Sequence, residues 1–105
     1  MNITNYIFQV LTSKPIILMS WGFHNPMGGD NVLMFKVNGF IHQGDVIISY
    51  NGASDLFDVQ LLTKQGKLVK TIENIYVDQL IDVIDEAVEH TTDYNSRINN
   101  FYNFN

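Results

Sequence analysis

VLMFKVNGFIHQGDVIISYNGASDLFDVQLL, residues 32–62, decides the fold. Leu33, Phe35 and Val37 alternate with Met34, Lys36 and Asn38, and the alternation returns in Val46, Ile48, Tyr50 and again in Phe57, Val59, Leu61. Successive side chains of a strand point to opposite faces, so each run buries one face and shows the other to water. The turns between them, Ile41–Gly44 and Asn51–Ser54, are too short for a crossover, which makes neighbouring strands antiparallel. Working outward, Lys64-Gln65-Gly66-Lys67 reads as a two-residue hairpin connection, after which Leu68–Ile72 pairs back. On the other side, Ile16–Trp21 is apolar almost throughout and reads as a strand covered on both faces or lying mid-sheet. The sum is a five-strand antiparallel meander.

Helical periodicity flanks it. Ile3, Tyr6, Ile7, Val10 and Leu11 occupy the i, i+3, i+4, i+7, i+8 positions of an amphipathic helix over 3–13, with Asn2 to cap it and Pro15 to end it. Val77, Leu80, Ile81, Ile84 and Val88 form one stripe of a closing helix over 77–90, with acids on the opposite side and Asn74 or Asp78 as its cap. Thr91-Thr92 is read as its end. Tyr94, Ile98, Phe101 and Tyr102 keep helical spacing in an asparagine-rich tail, and 95–105 is read as a segment that docks or frays. The expectation is a single α+β domain over 1–105, with the N-terminal and C-terminal helices on one face of the sheet. Lys36, Asn38, Ser49, Asp58, Gln60 and Thr71, with Met34, Ile47 and Leu62 among them, belong to the other face.

Composition narrows the functional classes. With 46% hydrophobic and 16% charged residues the chain has enough apolar surface to offset the entropy of ordering it. The absence of cysteine removes disulfides, thiolate chemistry and cysteine zinc sites, and fits a reducing cytoplasm. The N-terminus lacks the positive region of a signal peptide, and the longest apolar run is far short of a membrane span. The net charge of −5 is unevenly divided. Residues 1–70 set five lysines against Asp30, Asp45, Asp55 and Asp58, whereas from Glu73 onward Asp78, Asp82, Asp85, Glu86, Glu89 and Asp93 face only Arg97. Such a surface repels phosphate, which argues against direct nucleic-acid binding and for a basic protein partner or plain solubility.

If strands alternate, their connections sort to two ends of the sheet. One end gathers Lys14, the 41–44 turn and the lysines of 64–67; the other gathers residues 22–31, the 51–54 turn and the start of the acidic helix. Read as a ten-residue loop, Gly22–Asn31 is long enough for a binding element. Phe23 and Met27 are candidates to grip a partner, with Trp21 and His24 beside them; equally, Trp21 and Phe23 can plug the open end of the core. His24, Asp30 and Asp55, with Asp78 as a further candidate, are a mixed nitrogen and oxygen set of the kind zinc or manganese accepts, but their spacing matches no metal signature, and no metal is assigned. Ser54, His24 and Asp55 lack an oxyanion hole or nucleophile elbow, so no catalytic residue is assigned. Gly22, Gly28 and Gly29 have neither dinucleotide-loop nor phosphate-loop spacing, and no cofactor is assigned. Lys64, Lys67 and Lys70 read as guards of a strand edge.

The function this favours is a small acidic cytoplasmic interaction module that is not an enzyme. It binds a basic protein surface through Asp78, Asp82, Asp85, Glu86 and Glu89 of the 77–90 helix, through Trp21, Phe23, His24 and Met27, or through both. The alternative is a metal or small-molecule binding protein using His24, Asp30, Asn51 and Asp55. Monomer and homodimer both remain open.

Overall fold

A computed structural model describes residues 2–89. Thr91-Thr92, Arg97 and the 95–105 tail, with their expected roles, lie outside the described residues. The elements run in the order α1 (Ile3–Thr12), α2 (Pro15–Ser20), β1 (His24–Gly29), β2 (Val32–Asn38), β3 (Gln43–Asn51), β4 (Leu56–Leu62), β5 (Leu68–Ile75), a 3₁₀ turn (Val77–Gln79) and α3 (Leu80–Val88). The five strands form one antiparallel sheet in sequence order, the expected α+β meander.

The strand pairing follows from the period-two pattern. Leu33, Phe35, Val37, Val46, Ile48, Phe57, Val59 and Leu61 all point to one face and are buried there. Against them pack Ile7 and Leu11 of α1, Leu18 of α2, Trp21, and Leu80, Ile81, Ile84 and Val88 of α3. The opposite face is laid out in cross-strand rows, among them Met27, Met34, Ile47, Gln60 and Thr71. A second row pairs Lys36 with Asp45, whose Nζ and Oδ1 stand 2.9 Å apart. No helix among the described residues is long and apolar enough to cross a membrane.

Two sequence expectations are corrected here. Residues 16–21 are not a strand: Pro15 occupies the first turn of α2, where its missing N–H and fixed φ are harmless, and Leu18 turns inward. The first strand lies instead in residues 24–29, which had read as loop. HNPMGG has no alternating apolar pattern; its state is imposed by pairing with β2, from His24 opposite Lys36 to Gly29 opposite Val32. Thr4 fastens α1 to this hairpin, its Oγ1 donating to the carbonyls of Gly29 at 2.9 Å and Val32 at 3.1 Å.

Helix and turn ends obey local chemistry. Asn2 caps α1 through its side-chain oxygen, which accepts from the N–H groups of Thr4 and Asn5. Neither Asn74 nor Asp78 caps the closing helix: Asn74 is left-handed at φ 59°, and Asp78 lies inside the 3₁₀ turn. The β4–β5 connection spans residues 63–67, longer than the two residues expected. Gly66 N–H donates to Thr63 O, and Gly66 at φ 85° supplies the left-handed residue that closes such a turn.

Both sheet edges are blunted. In β1 the register shifts between His24 and Met27, with Asn25 left-handed and Pro26 unable to donate. In β5 it shifts twice, between the partners of Leu61 and Leu62 and between those of Phe57 and Val59. Bulges of this kind twist an edge away from pairing.

Candidate functional site

α3 returns from one end of the sheet to the other, and its nine residues divide their acids into two groups. Ile81, Ile84, Asp85 and Val88 occupy i, i+3, i+4 and i+7, a single inward stripe. Asp82 and Glu86, four residues apart, occupy the outward side, and Asp78 precedes them by four residues in the 3₁₀ turn. All three are exposed. Asp78 and Asp82 lie near the helix start, where the N-terminal dipole favours negative charge; Glu86 lies near the other end, where it does not. No Lys or Arg occurs between Thr71 and Glu89.

The inward acids overturn the expectation of one solvated acidic face. Asp85 is 8% exposed and Glu89 3%. The indole Nε1 of Trp21, itself fully buried, donates to Asp85 Oδ1 at 2.8 Å. Glu89 Oε2 accepts from the backbone N–H of Phe40 at 2.9 Å. The carbonyl of Val88 takes the N–H groups of Ile41 at 2.9 Å and His42 at 3.2 Å. The 39–42 turn thus closes over the C-terminus of α3 and satisfies groups the helix leaves open. Gly39 permits the approach: a Cβ there would lie 2.3 Å from Val88 O. Gln43 Nε2 donates to Gly39 O and holds the turn. Of the five helix acids singled out by sequence, Asp78, Asp82 and Glu86 therefore lie on the surface, and Asp85 and Glu89 serve the core.

Along the flank of α3 that faces β5 runs a groove of about 640 Å³, lined by Lys70, Thr71, Ile72, Glu73, Val83, Glu86 and Ala87. Its floor is Ile72, Val83 and Ala87, each half-buried and packed against the core. Its rim carries Glu73 and Glu86, with Lys70 also lining it. Sequence reading missed the floor, although Val83 and Ala87 stand one turn apart beside the main stripe and so widen the apolar arc of the helix.

The aromatic and histidine candidates separate. Trp21 stacks on Phe35, with ring centroids 6.4 Å apart and planes 10° from parallel. Phe23 is half-buried, its ring 4.7 Å from that of Phe35 and 6.2 Å from Phe8. These two plug the core. Met27 is 61% exposed on the outer sheet face. His24 lies opposite Lys36, and its Nδ1 hydrogen-bonds with the carbonyl of Gly22 at 2.6 Å.

His24 accordingly does not meet Asp30, Asn51 and Asp55. Those residues lie at the other end, where Tyr50 N–H donates to Asn31 O at 2.9 Å and the 52–55 turn follows. His24 instead shares a shallow hollow with Lys36, Asn38, Asp45 and Lys64. Among the described residues no three His, Asp or Glu side chains gather as a metal site would require. At the Asp55 end, Tyr50 Oη donates to Asp55 Oδ1 at 2.6 Å, and this bond, with burial and the nearby negative charge, raises the phenol above its ordinary value of 10.0. A hydrogen bond that a neutral phenol makes to a carboxylate holds the proton in place.

No protein-family model, curated protein or solved structure matches the chain.

Proposed function

We propose that the protein is a non-catalytic interaction module of the cytoplasm, which seats a basic, partly apolar segment of a protein partner along the outer flank of α3. The observation that carries this reading is the pairing of an apolar groove floor with a rim on which two acids, Glu73 and Glu86, outnumber the one base, Lys70. Ile72, Val83 and Ala87 offer an apolar seat, while Glu73 and Glu86 at the groove and Asp82 and Asp78 along the helix supply charge. Like charges at i, i+4 weaken a helix by about 0.2–0.5 kcal/mol per pair. The Asp82–Glu86 pair is retained with no base nearby on α3 to relieve it. Local choices that oppose stability concentrate where a surface serves binding. A partner carrying Lys or Arg around one aliphatic or aromatic side chain complements both features, and charge of this kind sets approach and orientation more than final affinity.

The blunted edges of β1 and β5 favour side-chain docking in the groove over addition of a strand. Trp21 and Phe23 are committed to the core, so residues 22–31 contribute little beyond Met27.

The test is a nuclear magnetic resonance titration of the full chain with a short Lys-rich peptide bearing one Leu or Trp, alongside its acidic counterpart. The basic peptide should shift Ile72, Val83, Ala87 and Glu86 together, and the effect should weaken with salt. The double variant Glu73→Lys, Glu86→Lys should lose the shifts, and Ala87→Leu, which fills the floor without altering charge, should lose them as well. Weak, even shifts at every acid, indifferent to Ala87→Leu, would show diffuse charge attraction and reject the groove.

A further inference from the structure

Two Asn-Gly steps occur in the chain, Asn38-Gly39 and Asn51-Gly52, and the fold treats them oppositely. We propose that Asn51 is a site of spontaneous covalent modification, at which the main-chain nitrogen of Gly52 cyclises onto the Asn51 side chain, whereas Asn38 is held unreactive.

The step is an acyl transfer. Gly52 N bonds to Asn51 Cγ, the Cγ–Nδ2 bond breaks, and ammonia leaves with the proton that Gly52 N gives up. Water then opens the five-membered imide at either carbonyl, yielding aspartate or isoaspartate. No oxidant or cofactor enters. Three features at Asn51 favour it. The N–H of Ala53 donates to Asn51 Oδ1 at 3.0 Å. That oxygen is the one that becomes negative as the nitrogen adds, so the donor stands where charge develops. The same bond folds the side chain back over the main chain ahead of it, bringing Cγ toward the nitrogen that must attack. Gly52 is exposed, and among the described residues a Cβ there would meet only the Tyr50 ring at 3.7 Å, which leaves room for the ring to close.

Asn38 has the same dipeptide in the opposite setting. Gly39 N–H is engaged, donating to His42 O at 3.0 Å. Gly39 is also closed in by Val88 and Glu89, and Asn38 N–H is tied to Trp21 O at 2.7 Å. Cyclisation there would break the turn that covers the C-terminus of α3. At Asn51 the product adds a negative charge to an exposed turn, and in the isoaspartyl form an extra main-chain carbon between β3 and β4.

The experiment is incubation of the full chain at body temperature in mildly alkaline buffer, followed by peptide mapping with enzymatic methylation of isoaspartyl groups. Asn51 should convert with first-order kinetics, at least about tenfold faster than Asn38, and in concentrated urea the two rates should converge because the difference belongs to the fold. Ala53→Pro, which removes the N–H donor, should slow native Asn51 by about tenfold or more. Equal native rates, a faster Asn38, or a preference for Asn51 that survives in urea would each overturn the proposal.

Discussion

The indole N–H of Trp21 and the carboxylate of Asp85, separated by 64 positions in the chain, meet in the core at 2.8 Å. The bond ties the end of α2 to the middle of α3 across the sheet face, joining the two helical ends of the chain. A buried donor without an acceptor costs about 1–3 kcal/mol, and Asp85→Ala should therefore lower unfolding free energy by roughly that amount. Asp85→Asn keeps an acceptor of the same shape and should lose less. Trp21→Phe reverses the fault, leaving a buried carboxylate unpaired, and should cost at least as much as Asp85→Ala. Urea unfolding checks all three; Trp21, the only tryptophan, serves as the fluorescent probe in the Asp85 variants. Equal stability of wild type and Asp85→Ala would show that the bond adds nothing.

Gly39 gives a second, steric prediction. Because a Cβ at this position would lie 2.3 Å from Val88 O and 2.5 Å from Val88 Cγ1, Gly39→Ala has to push the 39–42 turn off α3. The bonds from Ile41 and His42 to Val88 O and from Phe40 to Glu89 would lengthen together. A loss of about 2 kcal/mol or more is expected, with faster hydrogen exchange at Ile41 and His42. Protection unchanged at those two amides would mean that the turn accommodates the methyl group.

What could be read from residues alone divides along physical lines. β2, β3 and β4 were legible because alternation is imposed by the very face they bury. α1 was legible because Asn2, the apolar spacing and Pro15 agree. The Pro15–Ser20 segment was not, since a short, uniformly apolar run has no period, and only Pro15 at a first helical position hinted at its state. β1 was hidden because its pairing comes from β2 rather than from its own side chains. Placing the first strand at 16–21 then carried His24 to the wrong end. Asp85 was misjudged by its type: it sits four residues from Ile81 and three from Val88, inside the apolar stripe, and position outweighed charge.

Glu86 sits in the last turn of α3, where the helix dipole opposes a negative charge and Asp82 repels it from one turn back. Glu86→Lys relieves both and sets an acid four residues ahead of a base, the favoured order. The free protein should gain about 0.5 kcal/mol, seen as a small rise in Tm at low salt that fades as salt is added. The same substitution should weaken binding of the basic peptide. Opposite effects on stability and binding from one residue are the signature expected of a surface kept for a partner.

The Tyr50–Asp55 bond predicts an alkaline dependence. The folded phenol is raised above 10.0, so the folded state holds the proton more tightly than the unfolded chain does. The stability this contributes is fully present below pH 10.0 and is lost as pH climbs through the folded value. Tyr50→Phe has no proton to lose there and should show a flatter stability profile across that range. Asp55→Asn removes the charge and should return the phenolate absorbance transition of Tyr50 toward its ordinary position. A transition that stays where it was in Asp55→Asn would assign the shift to burial instead.

Pro26 supplies the last test, on the edge of the sheet. It lies within the bulge between His24 and Met27, and it removes an N–H from a strand that, among the described residues, pairs with β2 alone. Beside it, exposed Met27 stands in a row with Met34 and Ile47, so the part of the outer face next to this end of the edge is apolar. An apolar face next to an open edge is the setting in which strands of different molecules pair. Replacing Pro26 by Val restores a donor and adds strand preference without touching the core. The variant should keep the wild-type Tm within a few degrees, since no buried contact changes, yet associate more strongly with rising concentration in sedimentation velocity. Should it sediment as the wild type does at every concentration, the bulge with Asn25 at φ 52°, rather than the missing N–H, is what keeps the edge unpaired.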